Sequence, residues 1–145
     1  MAGRVLTRRR ATIALHWALV LLLMLMVSDG GRFGLVLWAF VAAALVFGTL
    51  ALWRGLMTRP GPKLTGVARA VHPWQHRALY ALAVLVALIT AAEALGQVVG
   101  PDPDAAQGVL LFAVMLHAIF HLWRHTALRD GALRIITPRA LHRHL

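Results

Sequence analysis

Four long apolar runs, separated by short polar segments, dominate the pattern of residues along this chain. They cover approximately residues 11–28, 34–56, 74–95 and 107–128. Each is close to the roughly 20 residues that an α-helix needs to cross about 30 Å of hydrocarbon. Because a helix also satisfies its own backbone polar groups inside that layer, the pattern predicts four membrane-spanning helices.

The polar segments between these runs are short and rich in residues that end helices. The first connection contains S-D-G-G-R-F-G, the second contains R-P-G-P-K-L-T-G, and the third contains the acidic run G-P-D-P-D. Proline and glycine in these segments favour turns and do not continue a helix. We therefore predict an all-α fold, in which residues 1–145 form a single integral membrane four-helix bundle.

The composition agrees with a membrane protein. Hydrophobic residues make up 60% of the chain and charged residues only 14%, which is too apolar for a soluble domain of this length. The apolar run after T-R-R-R resembles an export signal. However, His16 and Trp17 interrupt it and no small-residue cleavage site follows, so we assign this run to the first membrane helix.

The basic residues are divided unequally between the two ends of the predicted helices. All 15 lysine and arginine residues except Arg32 lie before the first helix, around the connection between the second and third, or around the end of the fourth. Asp29, Asp102 and Asp104 lie at the opposite ends. The positive-inside rule therefore predicts that both termini are cytoplasmic. The basic excess also suits contact with anionic lipid, and nucleic-acid binding is not expected.

All eight histidines lie toward the predicted cytoplasmic side, and the chain contains no cysteine. The absence of cysteine limits the kinds of metal or haem site that the chain can form. Without cysteine, iron–sulfur clusters, thiolate ligation and covalent haem attachment are excluded. The segment H-A-I-F-H-L-W-R-H places His117, His121 and His125 on one face of the fourth helix. Because an imidazole in hydrocarbon is costly, such a cluster indicates a functional site, and we expect a non-covalently bound haem iron there.

The helical rise gives an approximate depth for each histidine. His16 lies about 9 Å below the boundary marked by Arg10, and His117 lies about 10 to 18 Å deep. Two imidazoles at comparable depth on different helices can hold one iron from opposite faces, so His16 and His117 are the predicted haem ligands. His121, one turn away on the same face, is a rival to His117. His125 is expected to reach headgroups or a haem propionate.

Two arginines and two further histidines lie near the same end of the predicted bundle. Arg10 and Arg124 are expected to pair with the haem propionates through charge-assisted hydrogen bonds. His72 and His76 lie at the start of the predicted third helix, where an interfacial polar residue needs no special role. The histidine pairs at i, i+4 would also suit zinc or copper, so a transition-metal site is an alternative to haem.

Three segments together resemble a known family. They are R-R-A-T-I-A-L-H-W-A-L-V in the first helix, H-R-A-L-Y in the third, and H-A-I-F-H-L-W-R-H-T-A-L-R-D-G-A-L-R-I-I-T-P at the end of the fourth. In order and spacing they resemble the bacterial cytochrome b561 family, which includes b-type subunits of nickel–iron hydrogenases and related quinone reductases. The resemblance covers residues 9–138. It implies a four-helix protein of the bacterial inner membrane that binds b haems and exchanges electrons with quinone.

The resemblance also implies roles for particular residues. His16 and His117 match family haem ligands, and His76 matches the family histidine that opens the third helix, near which we expect quinone to approach. Family members hold a second, outer haem through histidines near the starts of the second and fourth helices. Here residues 34–40 and 103–110 contain neither histidine nor methionine. We therefore expect one haem b, near the cytoplasmic face.

Two functions follow from this sequence. The first is a membrane b-type cytochrome, acting as an electron-transfer protein or as a quinone-linked oxidoreductase, with no catalytic side chain predicted beyond the haem ligands. The alternative is a non-catalytic membrane subunit, derived from such a cytochrome, of a larger respiratory or photosynthetic complex. The short connections between the helices suit that alternative.

Overall fold

The fold is all-α, as predicted. The computed structural model describes residues 8–29, 34–56, 59–97 and 100–144; 82% of these residues are helical, and none of them forms a strand. Four of its helices are long and apolar enough to cross a membrane. These are α1 (Arg8–Asp29), α2 (Gly34–Arg54), α3 (Gly66–Ala94) and α4 (Pro103–Thr126), followed by a short helix α5 (Ala132–Ile136) and a 3-10 helix at Arg139–His144.

The four long helices form a bundle with its main apolar core at one end. Consecutive helices pack together, α1 also contacts α4, and α5 packs on α4. The core contains Met26 of α1, Phe40 of α2, Val86 of α3 and Leu110 of α4, all almost fully buried. We call this end, where α1 and α3 finish, the outer half. The inner half contains the start of α1, the connection between α2 and α3, and the end of α4.

Large apolar side chains cover the outward surface of the bundle. Leu21, Leu35, Leu88, Phe112 and Ile119, which belong to four different helices, each expose more than half of their side-chain surface. A soluble monomer rarely leaves so much apolar surface in contact with water, whereas hydrocarbon tails cover it at no cost. The chain is therefore a multi-pass membrane protein.

The third helix begins at Gly66, earlier than the predicted start at residue 74. The prediction took residue 74 as the start because the long apolar run begins there. In the structure Pro73 lies inside α3. Proline removes the one hydrogen bond that its own N–H would make, and a membrane helix tolerates this loss where neighbouring groups compensate. His72 is consequently part of the helix.

The fourth helix also begins earlier than predicted, at Pro103 in place of residue 107. Asp102 caps it, because its carboxylate accepts hydrogen bonds from the backbone N–H groups of Asp104 and Ala105, each at 3.3 Å. Proline is favoured in the first helical turn because it has no N–H to leave unsatisfied. The tight outer turn predicted around Arg32 falls at residues 30–33, outside the described part of the chain.

The segment that follows α4 folds back onto the start of α1. Arg9 Nη2 donates to the carbonyl oxygen of Arg134 at 3.0 Å, and Trp17 Nε1 donates to that of Ile136 at 3.0 Å. These carbonyl groups belong to α5, whose last turn has no helical partners for them. The beginning of α1 and the end of the chain therefore lie at the same end of the bundle, which is the inner half.

Candidate histidine site

Five histidines from three helices meet in the inner half of the bundle. The i, i+4 spacing directs His72 and His76 to one face of α3, and the same spacing directs His117 and His121 to one face of α4. His16 of α1 is the fifth member. We call this group the five-histidine cluster.

His117 lies near the centre of the cluster. Its ring centroid is 4.4 Å from that of His121, 5.1 Å from that of His76 and 6.5 Å from that of His16. His72 joins the cluster from the other side, with its ring 4.5 Å from His76 and 6.0 Å from His121. The structure therefore brings together His16, His117, His121 and His76, four of the predicted site residues.

The predicted pair of haem ligands, His16 and His117, faces across the α1–α4 contact. Two imidazoles that bind one metal from opposite sides, with bonds of about 2 Å, have ring centroids roughly 6 Å apart. The observed separation is 6.5 Å, with 52° between the ring planes. The two rings are therefore separated by about the distance expected of two imidazoles on one metal ion.

Gln75 of α3 contacts the ring of His117, with its amide nitrogen 3.0 Å from Nδ1. An amide nitrogen only donates, so Nδ1 of His117 accepts this hydrogen bond, which fixes the orientation of the ring. Sequence reasoning did not single out Gln75.

The other three members of the cluster form a tighter group. Ligand nitrogens of His72, His76 and His121 all lie within 4.8 Å of one another. The side chain of His72 is 0% exposed. Sequence reasoning assigned no function to His72, because a polar residue at the interfacial start of the third helix needs no special role. The i, i+4 spacing to His76, which repeats the spacing of His117 and His121, is the feature that would have identified it.

Arg124, predicted to pair with a propionate, is held by a carboxylate of the chain. Its Nη2 is 2.6 Å and its Nε 2.8 Å from one oxygen of Asp130, and both side chains are almost fully buried. The other Asp130 oxygen accepts from the backbone N–H of Ala132 at 2.9 Å. Nη1 of Arg124 is buried and has no hydrogen-bond partner in the described structure. Asp130 belongs to the segment that resembles the family at the end of the fourth helix, but its pairing with Arg124 was not predicted.

The remaining predicted site residues lie at the margin of the cluster. Arg10 is exposed in the first turn of α1, and His125 is half-buried, with an Nδ1 that has no hydrogen-bond partner among the described residues.

A groove of about 360 Å³ between α3 and α4 reaches Gln75 and His117, and its other walls are mainly apolar. His76, near which quinone was expected, does not line this groove.

No family model, curated protein or solved structure matches this chain.

Proposed function

We propose that this protein is a membrane b-type cytochrome that holds one haem between His16 and His117 and transfers electrons at the inner half of the bundle. The observation that carries the proposal is the facing pair of rings on α1 and α4, 6.5 Å apart. The resemblance of residues 9–138 to the cytochrome b561 family points to the same pair. When bound, haem b supplies a one-electron iron couple whose potential depends on its ligands and surroundings.

Neighbouring groups hold both proposed ligands in place. Gln75 orients His117 through Nδ1, as described above. The indole of Trp17 packs edge-on against His16, with ring centroids 5.7 Å apart. Trp17 in turn donates to the carbonyl oxygen of Ile136. The segment after α4 therefore supports the position of the α1 ligand, which is the kind of outer support that ligating histidines need.

Arg124 offers one free donor for a haem propionate. Its Nε and Nη2 are occupied by Asp130, while Nη1 is buried without a hydrogen-bond partner in the described structure. A buried, unsatisfied donor on a charged group is costly. A propionate carboxylate at Nη1 would remove that cost through a charge-assisted hydrogen bond.

The outer half supports the proposal of one haem per chain. Phe40, Val86 and Leu110 fill that half with apolar side chains, and all eight histidines of the sequence lie toward the other end. Iron in b haems is held by imidazole or thioether side chains. Met26, which carries a thioether, is itself a member of this buried apolar core.

Quinone is the proposed electron partner, and the groove between α3 and α4 is its proposed approach. The groove volume, about 360 Å³, falls in the range of sites for small organic ligands. Its apolar walls suit a ring with an isoprenoid tail, and the Gln75 amide offers a hydrogen bond to a quinone oxygen. The groove brings such a ring to the edge of His117.

The test is the absorption spectrum of the purified full-length protein, reduced with dithionite, together with pyridine haemochrome quantification. We expect a sharp b-type α band and about one haem per chain, since only the inner half offers a pair of imidazoles. His16→Ala and His117→Ala each remove one of two strong-field nitrogens, so haem should be lost or become high-spin. His142→Ala, in the 3-10 helix outside the cluster, is the matched control and should keep the wild-type spectrum.

Three results would contradict this assignment. A ratio near two haems per chain would show that other groups hold an outer haem. If His121→Ala loses the low-spin spectrum while His117→Ala retains it, the iron is held one helical turn away from the proposed position. A haem-free wild-type protein would favour the alternative, a non-catalytic subunit of a larger membrane complex.

A further inference from the structure

We propose that His72, His76 and His121 form a second metal site, separate from the His16–His117 pair, which binds a zinc ion. The haem proposal uses none of these three side chains. They come from two helices that are adjacent in the bundle, α3 and α4, and their ligand nitrogens lie within 4.8 Å of one another.

The strongest observation is the unsatisfied state of His72. Its side chain is 0% exposed, and neither Nδ1 nor Nε2 has a hydrogen-bond partner in the described structure. Nε2 of His121, in the same group, is also buried without such a partner. A buried polar group that makes no hydrogen bond is destabilising. A metal ion among these nitrogens would satisfy several of them at once.

The hydrogen bond of His76 prepares that ring for metal binding. Its Nδ1 is 2.7 Å from the carbonyl oxygen of His72, and because a carbonyl only accepts, Nδ1 must carry the proton. In the neutral ring Nε2 then carries the lone pair. Histidine ligands in metal proteins commonly donate their second N–H to a backbone carbonyl in this way.

The donor set suits zinc. Imidazole nitrogen suits zinc and copper, whereas calcium and magnesium prefer oxygen ligands. Three nitrogens bound to tetrahedral zinc at about 2 Å lie roughly 3.3 Å apart. Side-chain rotations that move the ligand nitrogens by about 1 Å would therefore bring them to the spacing that zinc requires. Three histidine ligands leave the fourth position open for water or a small anion.

The charges around the three rings do not oppose a cation. Arg124 and Asp130, which carry opposite charges, both lie near His72 and His121. The two side chains form a buried ion pair, so together they add no net charge beside the site. The zinc ion would therefore not face an isolated positive charge.

The site would join α3 to α4 where the main apolar core does not reach. That core lies in the outer half, while His72 and His76 of α3 face His121 of α4 in the inner half. A metal bound by both helices stabilises the folded arrangement, because the unfolded chain does not present a preformed site. We therefore expect zinc to raise the thermal stability of the protein.

The test measures zinc bound by the full-length protein in detergent, using dialysis against zinc and elemental analysis. The wild type should bind about one zinc ion per chain, and cobalt(II) in its place should give the visible absorption of a tetrahedral centre. His72→Gln and His76→Gln should each weaken binding by at least about tenfold, since even loss of an outer partner costs 10–100-fold. His142→Gln, outside the cluster, is the matched control and should bind zinc normally.

The outcome is separable from that of the haem proposal. His16→Ala should lose the low-spin haem spectrum yet bind zinc normally, whereas His72→Gln should bind zinc more weakly yet keep the wild-type haem spectrum. Circular dichroism checks that each variant keeps its helices; if the His72 and His76 variants do not fold, the cobalt spectrum of the wild type decides. Absence of zinc and of the cobalt bands from the wild type would overturn the proposal, and so would zinc that is lost from His142→Gln but kept by His72→Gln.

Discussion

Arg124 illustrates how a single residue holds the inner end of this bundle together. Its guanidinium is 1% exposed and pairs with Asp130, which also accepts from the N–H of Ala132. Gly61 lies against this pair, since a Cβ at that position would be 3.1 Å from both Arg124 Nη2 and an oxygen of Asp130. One ion pair thereby connects α4, the loop that follows it and the connection between α2 and α3.

Removing the carboxylate should be strongly destabilising. Asp130→Asn leaves the Arg124 charge buried without a counter-ion, and breaking a buried pair in this way costs about 3–5 kcal/mol. Thermal or denaturant unfolding in detergent, followed by circular dichroism, measures the change. Asp104→Asn is the control, because that carboxylate is exposed in the first turn of α4 and its loss should cost about 0.3–1 kcal/mol. Equal losses for the two variants would show that the buried pair contributes no more to stability than an exposed carboxylate at a helix N-terminus.

At the scale of the helices, the contact between α2 and α3 is sensitive to side-chain volume. Gly48 of α2 is buried, and a Cβ there would lie 2.5 Å from Cγ2 of Val84. Valine is β-branched and has few rotamers into which it can move. The two helices therefore approach closely only because residue 48 has no side chain, as small residues permit at membrane helix interfaces.

Gly48→Ala should consequently destabilise the bundle, by about 1–3 kcal/mol for overpacking, although alanine is the better helix former. Gly108→Ala makes the same substitution in α4 at a position with nothing within 4 Å, and it should be neutral or stabilising by up to about 1 kcal/mol. Adding Val84→Ala to Gly48→Ala removes the clashing atom and should recover part of the loss. Unfolding in detergent checks all three variants, and a Gly48→Ala protein as stable as Gly108→Ala would contradict the close approach.

At the scale of the whole molecule, the number of spanning helices and the distribution of charge bear on how the bundle is oriented in the membrane. Four spanning helices place the start of α1 and the end of the chain on one side, and the hydrogen bonds from Arg9 and Trp17 to α5 agree with this. Which side is cytoplasmic remains a prediction of the positive-inside rule. Tryptophans 53 and 74 are exposed near the same end, as expected of residues at a membrane interface.

The absence of cysteine makes this orientation directly testable. Single cysteines at Ala140, in the 3-10 helix, and at Asp104, in the first turn of α4, occupy exposed positions at opposite ends of the bundle. In intact cells, a membrane-impermeant maleimide should label Asp104→Cys but not Ala140→Cys, and permeabilised cells should show labelling of both. Labelling of Ala140→Cys from outside would reverse the predicted topology.

Much of the fold was accessible from local features of the sequence. Hydrocarbon thickness sets the length of a spanning segment, so the apolar runs alone identified α1, α2 and most of α3 and α4. Helical rise is constant, so the depth of His16 and of His117 could be compared before their contact was known. The start of α3 was misplaced because the apolar run begins at residue 74, whereas the helix begins at Gly66 and includes Pro73.

The contacts between helices depend on information that local pattern does not contain. Periodicity shows that His72 and His76 share a face, but the rotation of α3 against α4 decides that this face meets His121 and that His72 is sealed from solvent. The same packing sets Gln75 against His117 and Asp130 against Arg124. The length of each helix and the depth of its residues follow from the thickness of the hydrocarbon layer and from backbone geometry, so they can be predicted from the local sequence. The faces by which two helices contact each other depend on how side chains far apart in the chain fit together, and that fit exists only in the assembled bundle.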